Sequence, residues 1–190
     1  KIGKRRKAKN IPDPPGKRQE GRLLTKAARL HQGEKRRKGT IRCGEAFMSQ
    51  FIRLGDTLSS SEIYGPGHRF VIWVQGCSLE CPGCWNSEFW SVEEGYTVNV
   101  VNLLSEVFST DDIEGITILG GEPLEQPEPV LKLIQSVKEI GLTVMLYTGY
   151  EENELNEIQL ECVNSSDIVI MGRYVASLRD TGLRWRGSSN

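Results

Sequence analysis

The sequence lacks any long hydrophobic run. No stretch in its 190 residues approaches the ~20 consecutive apolar residues that span a bilayer, and no apolar segment of the signal-peptide type follows the basic start. Cysteine is also scarce, because five residues, an odd number, are too few to form a disulfide scaffold in a chain of this length. These absences argue against a membrane-spanning protein and a disulfide-rich secreted domain, and they predict a soluble, cytoplasmic protein without a membrane partner.

Charge is distributed unevenly along the chain, although the 24 basic and 25 acidic side chains nearly cancel. Residues 1–45 hold 16 of the basic side chains and only four acidic ones, a balance of +12. The other 145 residues hold eight basic and 21 acidic side chains, a balance of −13. We therefore predict a basic arm at 1–45, disordered or accessory, and one folded domain at 46–190.

The basic arm is poor in the residues that a core or a nucleic-acid interface needs. Its single apolar cluster, between Leu23 and Leu30, suits a short helix that would be marginal alone. The arm has no aromatic residue on which a base could stack, so nucleic acid is an unexpected partner. An acidic protein partner and an incidental extension are the other interpretations. A start at Lys1 rather than Met is consistent with an incomplete end.

Strand and helix patterns alternate from about Phe51 onward. Buried β-branched and aromatic runs predict four strands, at 69–74, 116–119, 142–147 and 167–171. Apolar residues at helical spacing predict three helices, at 100–107, from Pro127 to before Gly141, and at 151–160. This alternation with short loops predicts an α/β fold of parallel strands with helices outside.

Glycine-rich and chemically reactive segments follow the ends of all four predicted strands. They are Gly76-Cys77, Gly120-Gly121-Glu122-Pro123, Thr148-Gly149 and Gly172. Sheets of parallel strands place their active sites at the carboxyl ends of the strands. We therefore expect these segments to surround one site.

Three of the five cysteines, Cys77, Cys81 and Cys84, lie within eight positions, so that three thiolates can face one point. A structural zinc ion takes four ligands, and the loop offers only three. A 4Fe-4S cluster with three cysteine ligands leaves one iron open for catalysis. The alternatives to such a cluster are a zinc site, an electron-transfer cluster and a disulfide, and Cys43 and Cys162 are predicted to be spare thiols.

The cysteine spacing and the Gly-Gly-Glu-Pro turn together resemble those of the radical S-adenosylmethionine (SAM) enzymes. The resemblance implies a partial, incomplete TIM-like βα barrel in which Cys77, Cys81 and Cys84 are the metal ligands and catalytic residues. SAM chelates the fourth iron in that family, and one electron cleaves it to methionine and a 5′-deoxyadenosyl radical. The Gly-Gly-Glu element binds the amino group of SAM in the family, which implies this role for Gly120, Gly121 and Glu122, with Thr148 as a further cofactor-binding residue.

One position departs from the family, which often has an aromatic residue just before the third cysteine, near the adenine of SAM. This chain has Gly83 there. The expected adenine contacts are therefore the backbone groups of Gly83 and Cys84 and the ring of Trp85. A buried, structural Trp85 is the alternative interpretation.

Further segments narrow the resemblance to the activating proteins of glycyl-radical enzymes, in particular those of anaerobic (class III) ribonucleotide reductases. These segments are GPGHRF at 65–70, WVQGC at 73–77, CWN at 84–86, YTGY at 147–150, DIVIMGR at 167–173 and RGSSN at 186–190. Met171 stands where the family more commonly has aspartate. The resemblance implies an oxidoreductase that generates a glycyl radical on a large reductase, with an electron donor such as flavodoxin.

The size of the domain agrees with a protein substrate, because about 140 residues can form a SAM site but hardly a lid as well. Two alternatives stay open. One is a radical SAM enzyme that modifies a peptide or a small molecule, for example in deazapurine synthesis. The other is a noncatalytic iron–sulfur or nucleic-acid-binding protein, for which the basic arm is the only support.

Overall fold

The computed structural model describes residues 51–190, so the arm predicted at 1–45 and its boundary with the domain lie outside the described residues. Six strands are present: β1 Phe51–Ser61, β2 Arg69–Val74, β3 Tyr96–Asn99, β4 Gly115–Gly120, β5 Thr143–Thr148 and β6 Ile168–Met171. Three α-helices lie between them: α1 Val100–Ser109, α2 Pro127–Glu139 and α3 Glu157–Ser165. The strands form one sheet in the order β3-β1-β2-β4-β5-β6.

Strands β2, β4, β5 and β6 are parallel, and each consecutive pair is joined through a helix. Each of the four predicted strands is present within one residue of its predicted bounds. The sheet stays open, with β3 and β6 at its two edges. The prediction of an α/β fold built as an incomplete barrel of parallel strands is confirmed.

Strands β1 and β3 have no counterpart among the predicted strands. Both are antiparallel to their partners, since β1 pairs with β2 on one side and with β3 on the other. In β1 only Ile52 and Leu54 are buried, and the second half of the strand is polar and exposed. A short apolar stretch followed by Gly55 and Asp56 has too little alternation to indicate a strand.

The third helix differs from its prediction at 151–160. A separate 3-10 turn occupies Glu152–Glu154, and α3 begins only at Glu157 and extends to Ser165. The side-chain Oδ1 of Asn156 accepts a hydrogen bond from the amide of Gln159 at 3.0 Å, and the Gln159 side chain accepts one from the Asn156 amide. This capping box makes Asn156 the N-cap of α3, and a helix continuing from residue 151 would lose its two hydrogen bonds.

The two faces of the sheet carry different residues. On what we call the helix face, Phe70, Ile72 and Val74 of β2 pack in one cluster with aliphatic residues of β4, β5 and the helices, Leu133 of α2 among them. On the opposite face, which we call the cavity face, the neighbouring residues Val71 and Trp73 belong to a separate cluster. Alternation along a strand thus separates an aliphatic core from a second, more aromatic surface.

The amino end of the cavity face holds a buried arginine. Arg69 is 1% exposed, and its guanidinium donates to Thr117 Oγ1 at 2.8 Å and to Thr143 Oγ1 at 3.0 Å, as well as to three backbone carbonyls. Its five N–H donors are therefore matched by five acceptors.

Among residues 51–190, no helix is long and apolar enough to cross a membrane.

Candidate active site

A cavity of about 480 Å³ lies over the cavity face, where the parallel strands end. Its lining includes every predicted site residue except Gly83: Cys77, Cys81, Cys84, Trp85, Gly120, Gly121, Glu122 and Thr148. The segments after β2, β4 and β5 therefore meet at one place, as the strand-end argument predicts.

The cysteine loop begins directly after β2, where a backbone hydrogen bond attaches it to Trp90, and it closes with a turn. The amide of Cys77 donates to the carbonyl of Trp90 at 3.0 Å, and the amide of Cys84 closes a turn on the carbonyl of Cys81 at 3.0 Å. Gly83 lies in this turn with φ +79°, and a Cβ there would come within 3.3 Å of the side chain of Ala176. A residue with a side chain is disfavoured at position 83 for both reasons, so the departure from the family pattern has a local structural basis.

The three cysteines of the loop are free thiols, partly buried, and they share the wall of the cavity. Burial raises the pKa of the Cys77 thiol, and the charges of Glu122 and Glu125 add to this effect, while backbone donors at Glu80 and Leu79 oppose it. In the described part of the chain, no three His, Cys, Asp or Glu side chains are grouped closely enough to hold one metal ion. Three soft thiol donors beside an open volume fit an iron–sulfur cluster, whose positive irons would favour the thiolate form.

Glu122 is the most deeply buried carboxyl group of the site, with 1% of its surface exposed. Its Oε1 accepts hydrogen bonds from the amide of Leu124 at 2.9 Å and from Thr148 Oγ1 at 2.8 Å, and its Oε2 accepts one from the amide of Gly149 at 2.7 Å. Burial raises the pKa of Glu122 to about 7, although these three donors lower it. The carboxyl group therefore joins the end of β4 to the end of β5.

The glycine before Glu122 serves close packing of the backbone. A Cβ at Gly121 would lie 2.3 Å from the carbonyl oxygen of Gly76, at the start of the cysteine loop. The amides of Gly121 and Glu122 donate to the carbonyls of Val74 and Gly76, both at 2.8 Å. The Gly-Gly-Glu turn is thus fastened directly to the end of β2 and to the start of the cysteine loop.

Trp85 is 56% exposed, so the alternative of a buried, structural tryptophan is wrong. The guanidinium carbon of Arg179 lies 4.8 Å from the centre of its ring, within the range of a cation–π contact. The ring of Tyr174 lies 6.4 Å away at a tilt of 55°. The residues after β6 therefore pack against the cysteine loop.

Several residues that line the site are absent from the predicted set of site residues. The segment after β6 lacks regular periodicity, yet Arg173, Tyr174 and Trp185 line the cavity. Arg173 forms a two-point ion pair with Glu154, at 2.6 and 2.8 Å, and this pair lowers the pKa of Glu154 to about 2. Glu125, which bonds to the cysteine loop, is also outside the predicted set.

A three-cysteine loop at the carboxyl edge of a parallel sheet defines an α/β protein of the iron–sulfur class, and residues 63–190 match the family described as 4Fe-4S single cluster domain. Over 138 residues the chain is 35% identical to the anaerobic ribonucleoside-triphosphate reductase-activating protein of Escherichia coli K12, with 67% of this chain and 88% of that protein covered. The protein of the same name from enterobacteria phage T4 is 36% identical over 134 residues, with 67% of this chain and 84% of that protein covered. The chain belongs to the family of anaerobic ribonucleoside-triphosphate reductase-activating proteins.

Among solved structures, QueE from Escherichia coli aligns with 64% of this chain and 71% of its own, at 12% identity and a TM-score of 0.45, a likeness too low to bear on function. The relatives confirm the predicted membership among the activating proteins of anaerobic ribonucleotide reductases, and the family match confirms the predicted 4Fe-4S domain.

Proposed function

We propose that this enzyme reductively cleaves SAM at a 4Fe-4S cluster held by Cys77, Cys81 and Cys84, and that it thereby generates a glycyl radical on an anaerobic ribonucleotide reductase. The observation that carries the proposal is the meeting of the three cysteines and the Gly-Gly-Glu turn in one cavity. The names of the relatives support the choice of the reductase as the partner.

When bound, the reduced cluster supplies one electron that breaks a C–S bond of SAM to give methionine and a 5′-deoxyadenosyl radical, and hydrogen transfer from a glycine Cα then gives 5′-deoxyadenosine and the glycyl radical. The residues of the chain bind, orient and shield these groups. In this proposal, Cys77, Cys81 and Cys84 would each bind one iron of the cluster, and the fourth iron would be free to bind SAM.

Glu122 is suited to receive the amino group of SAM. A carboxylate has about four acceptor positions, two on each oxygen, and the protein fills both on Oε1 but only one on Oε2. An ammonium group at Oε2 would satisfy the remaining position and pair the buried negative charge. Thr148 keeps the carboxyl group in place, and Gly120 and Gly121 allow the backbone to approach.

The adenine is expected near Trp85 and the backbone of Gly83 and Cys84. The exposed ring of Trp85 offers a stacking surface, while Arg179 keeps the ring in position. Tyr64 and Trp90 add further aromatic rings to the wall of the cavity, and its mouth is open. A docking protein would close this mouth and exclude water, which agrees with a reductase as the substrate.

The test uses the full chain, reconstituted with iron and sulfide under anaerobic conditions and reduced. We expect methionine and 5′-deoxyadenosine in equal amounts, and a glycyl doublet in the electron paramagnetic resonance spectrum after addition of the reductase. Cys81→Ala should abolish both signals, whereas Cys162→Ala, on the helix face, should retain both.

Each alternative function has its own outcome in this test. Cleavage of SAM without a glycyl doublet would favour a radical SAM enzyme that acts on a peptide or a small molecule. An intact, reducible cluster without any cleavage would contradict the proposal and favour a noncatalytic iron–sulfur protein. A flavodoxin-type donor and a cytoplasmic location stay predictions.

A further inference from the structure

The carboxylate of Glu125 forms a junction between three strand ends at the cysteine loop. Its Oε1 accepts hydrogen bonds from the backbone amide of Ser78 at 2.8 Å and from Ser78 Oγ at 2.6 Å. The hydroxyl of Tyr150 lies 3.5 Å from the same oxygen. Ser78 follows the ligand Cys77 after β2, Glu125 ends the 3-10 turn after β4, and Tyr150 follows β5.

Through this junction, the middle of the cysteine loop is hydrogen-bonded to the rest of the domain. Among the hydrogen bonds of residues 51–190, those of Ser78 alone connect positions 78–83 to another element. The other backbone bonds of this stretch, among them the bond from Cys84 to Cys81, stay within the loop. Hydrogen bonds to a charged acceptor are roughly twice as strong as neutral ones, so the loss of this acceptor would release the loop.

The charge of Glu125 also acts on the ligands. The Oε1 atom of Glu125 accepts a hydrogen bond from the amide of Ser78, the residue that follows the ligand Cys77, so the negative charge lies beside a ligand of the cluster. A negative charge beside an iron–sulfur cluster disfavours the addition of an electron and lowers the reduction potential. A lower potential makes the reduced cluster a stronger reductant.

We propose that Glu125 is a positioning residue that fastens the cysteine loop through Ser78 and holds a negative charge beside the cluster, lowering its reduction potential. The inference rests on the proposed function only in taking Cys77, Cys81 and Cys84 as the cluster ligands. It does not depend on SAM cleavage or on the identity of the substrate.

Two substitutions separate the geometry from the charge. Glu125→Gln keeps a side-chain oxygen that can accept from Ser78 but removes the charge, whereas Glu125→Ala removes both. Glu128→Gln is the matched control, because Glu128 is exposed in the first turn of α2 and has no bond to the loop.

The first measurement is hydrogen exchange at the amide of Ser78 in the metal-free full chain. We expect Glu125→Ala to increase the exchange rate about tenfold or more, and Glu125→Gln to increase it by a smaller factor. The second measurement is the reduction potential of the reconstituted cluster without SAM. It should shift upward in Glu125→Gln and stay unchanged in Glu128→Gln.

Unchanged exchange in Glu125→Ala would overturn the fastening role, and an unchanged potential in Glu125→Gln would overturn the electrostatic role. If Glu125→Ala does not fold, Glu125→Ser replaces it, because the shorter side chain also removes the acceptor from Ser78 and keeps a polar group at this partly exposed position. Exchange at the Ser78 amide in Glu125→Ser equal to that of the wild type would then count against fastening. Both measurements are made without SAM, so they can succeed even where SAM cleavage fails.

Discussion

The helix face and the cavity face of the sheet alternate along the same strands, yet they differ in chemistry. On β2, Phe70, Ile72 and Val74 point to the helix face and are at most 3% exposed. Their neighbours on the cavity face include the buried Arg69 and the aromatic Trp73. Strand alternation therefore produces one face filled with apolar, mostly aliphatic side chains and another face that also carries polar and aromatic groups.

The two faces also hold different cysteines. Cys162 of α3 is fully buried in the core of the helix face, and burial raises its pKa to about 12. Cys77, Cys81 and Cys84 are partly exposed to the cavity. The comparison indicates that close packing on the helix face stabilises the fold. The cavity face is packed less closely and therefore has room for a ligand.

The largest effect is expected from the cysteines that face the cavity. Cys77→Ala should abolish cluster assembly and SAM cleavage, while it changes the free energy of unfolding of the metal-free protein by less than about 1 kcal/mol, because the side chain lies outside the core. The absorbance of the reconstituted cluster and urea unfolding measure the two effects. Cys162→Ala is the control and should retain the cluster. Loss of the cluster in both variants would contradict the distinction between the faces.

A core substitution on the helix face should have the opposite pattern. Leu133→Ala removes a fully buried side chain of α2 and should lower the free energy of unfolding by about 2–5 kcal/mol. The iron content per folded molecule should stay at the wild-type level. Lys132→Ala, exposed on the same helix, should stay within about 0.5 kcal/mol of the wild type. Iron loss in Leu133→Ala comparable to that in Cys77→Ala would show that the two faces are coupled.

Glu122 predicts a pH dependence that belongs to the cavity face. Its pKa rises from 4.5 to about 7 in the folded protein, so between these values the folded state binds more protons than the unfolded state. The contribution of Glu122 to stability is therefore fully present below about pH 4.5, is lost as the pH rises, and levels off above about 7. The loss amounts to about 3 kcal/mol at most.

Glu122→Gln should remove this contribution. The difference in unfolding free energy between wild type and Glu122→Gln, measured on metal-free protein across the same pH range, isolates the group from all other titrations. A difference that is independent of pH would show that the carboxyl group is ionised as easily in the folded chain as in the unfolded one.

The smallest effect is expected from an ion pair beside the helix face. Lys138 of α2 binds the carboxylate of Asp167, just before β6, and both side chains are partly exposed. Lys138→Ala should cost less than about 1 kcal/mol, and added salt should reduce this cost further. Urea unfolding at low and high salt provides the measurement. A loss above about 2 kcal/mol would place this pair in the core rather than at its edge.

The elements that could be predicted are those whose signal is local and apolar. Buried runs predict β2, β4, β5 and β6, and apolar spacing predicts α1 and α2, because each of these elements must cover a continuous hydrophobic surface. The start of α3 depends instead on the cap at Asn156, and the second half of β1, from Asp56 to Ser61, is mostly polar. Signals of this kind are weak in a single sequence.

The same division applies to the site. The spacing of Cys77, Cys81 and Cys84 and the Gly-Gly-Glu turn are local patterns, so the family and the 4Fe-4S domain could be predicted from the residues alone. The hydrogen bonds of Glu122 and Glu125 could not, because their partners are remote in the chain: Glu122 bonds to Thr148 across 26 positions, and Glu125 to Ser78 across 47. Strand order and register decide such contacts, since they bring the ends of β2, β4 and β5 to one edge of the sheet. The reactive residues of the site can therefore be recognised from the sequence, whereas the hydrogen bonds that hold them in place form only when the parallel strands align.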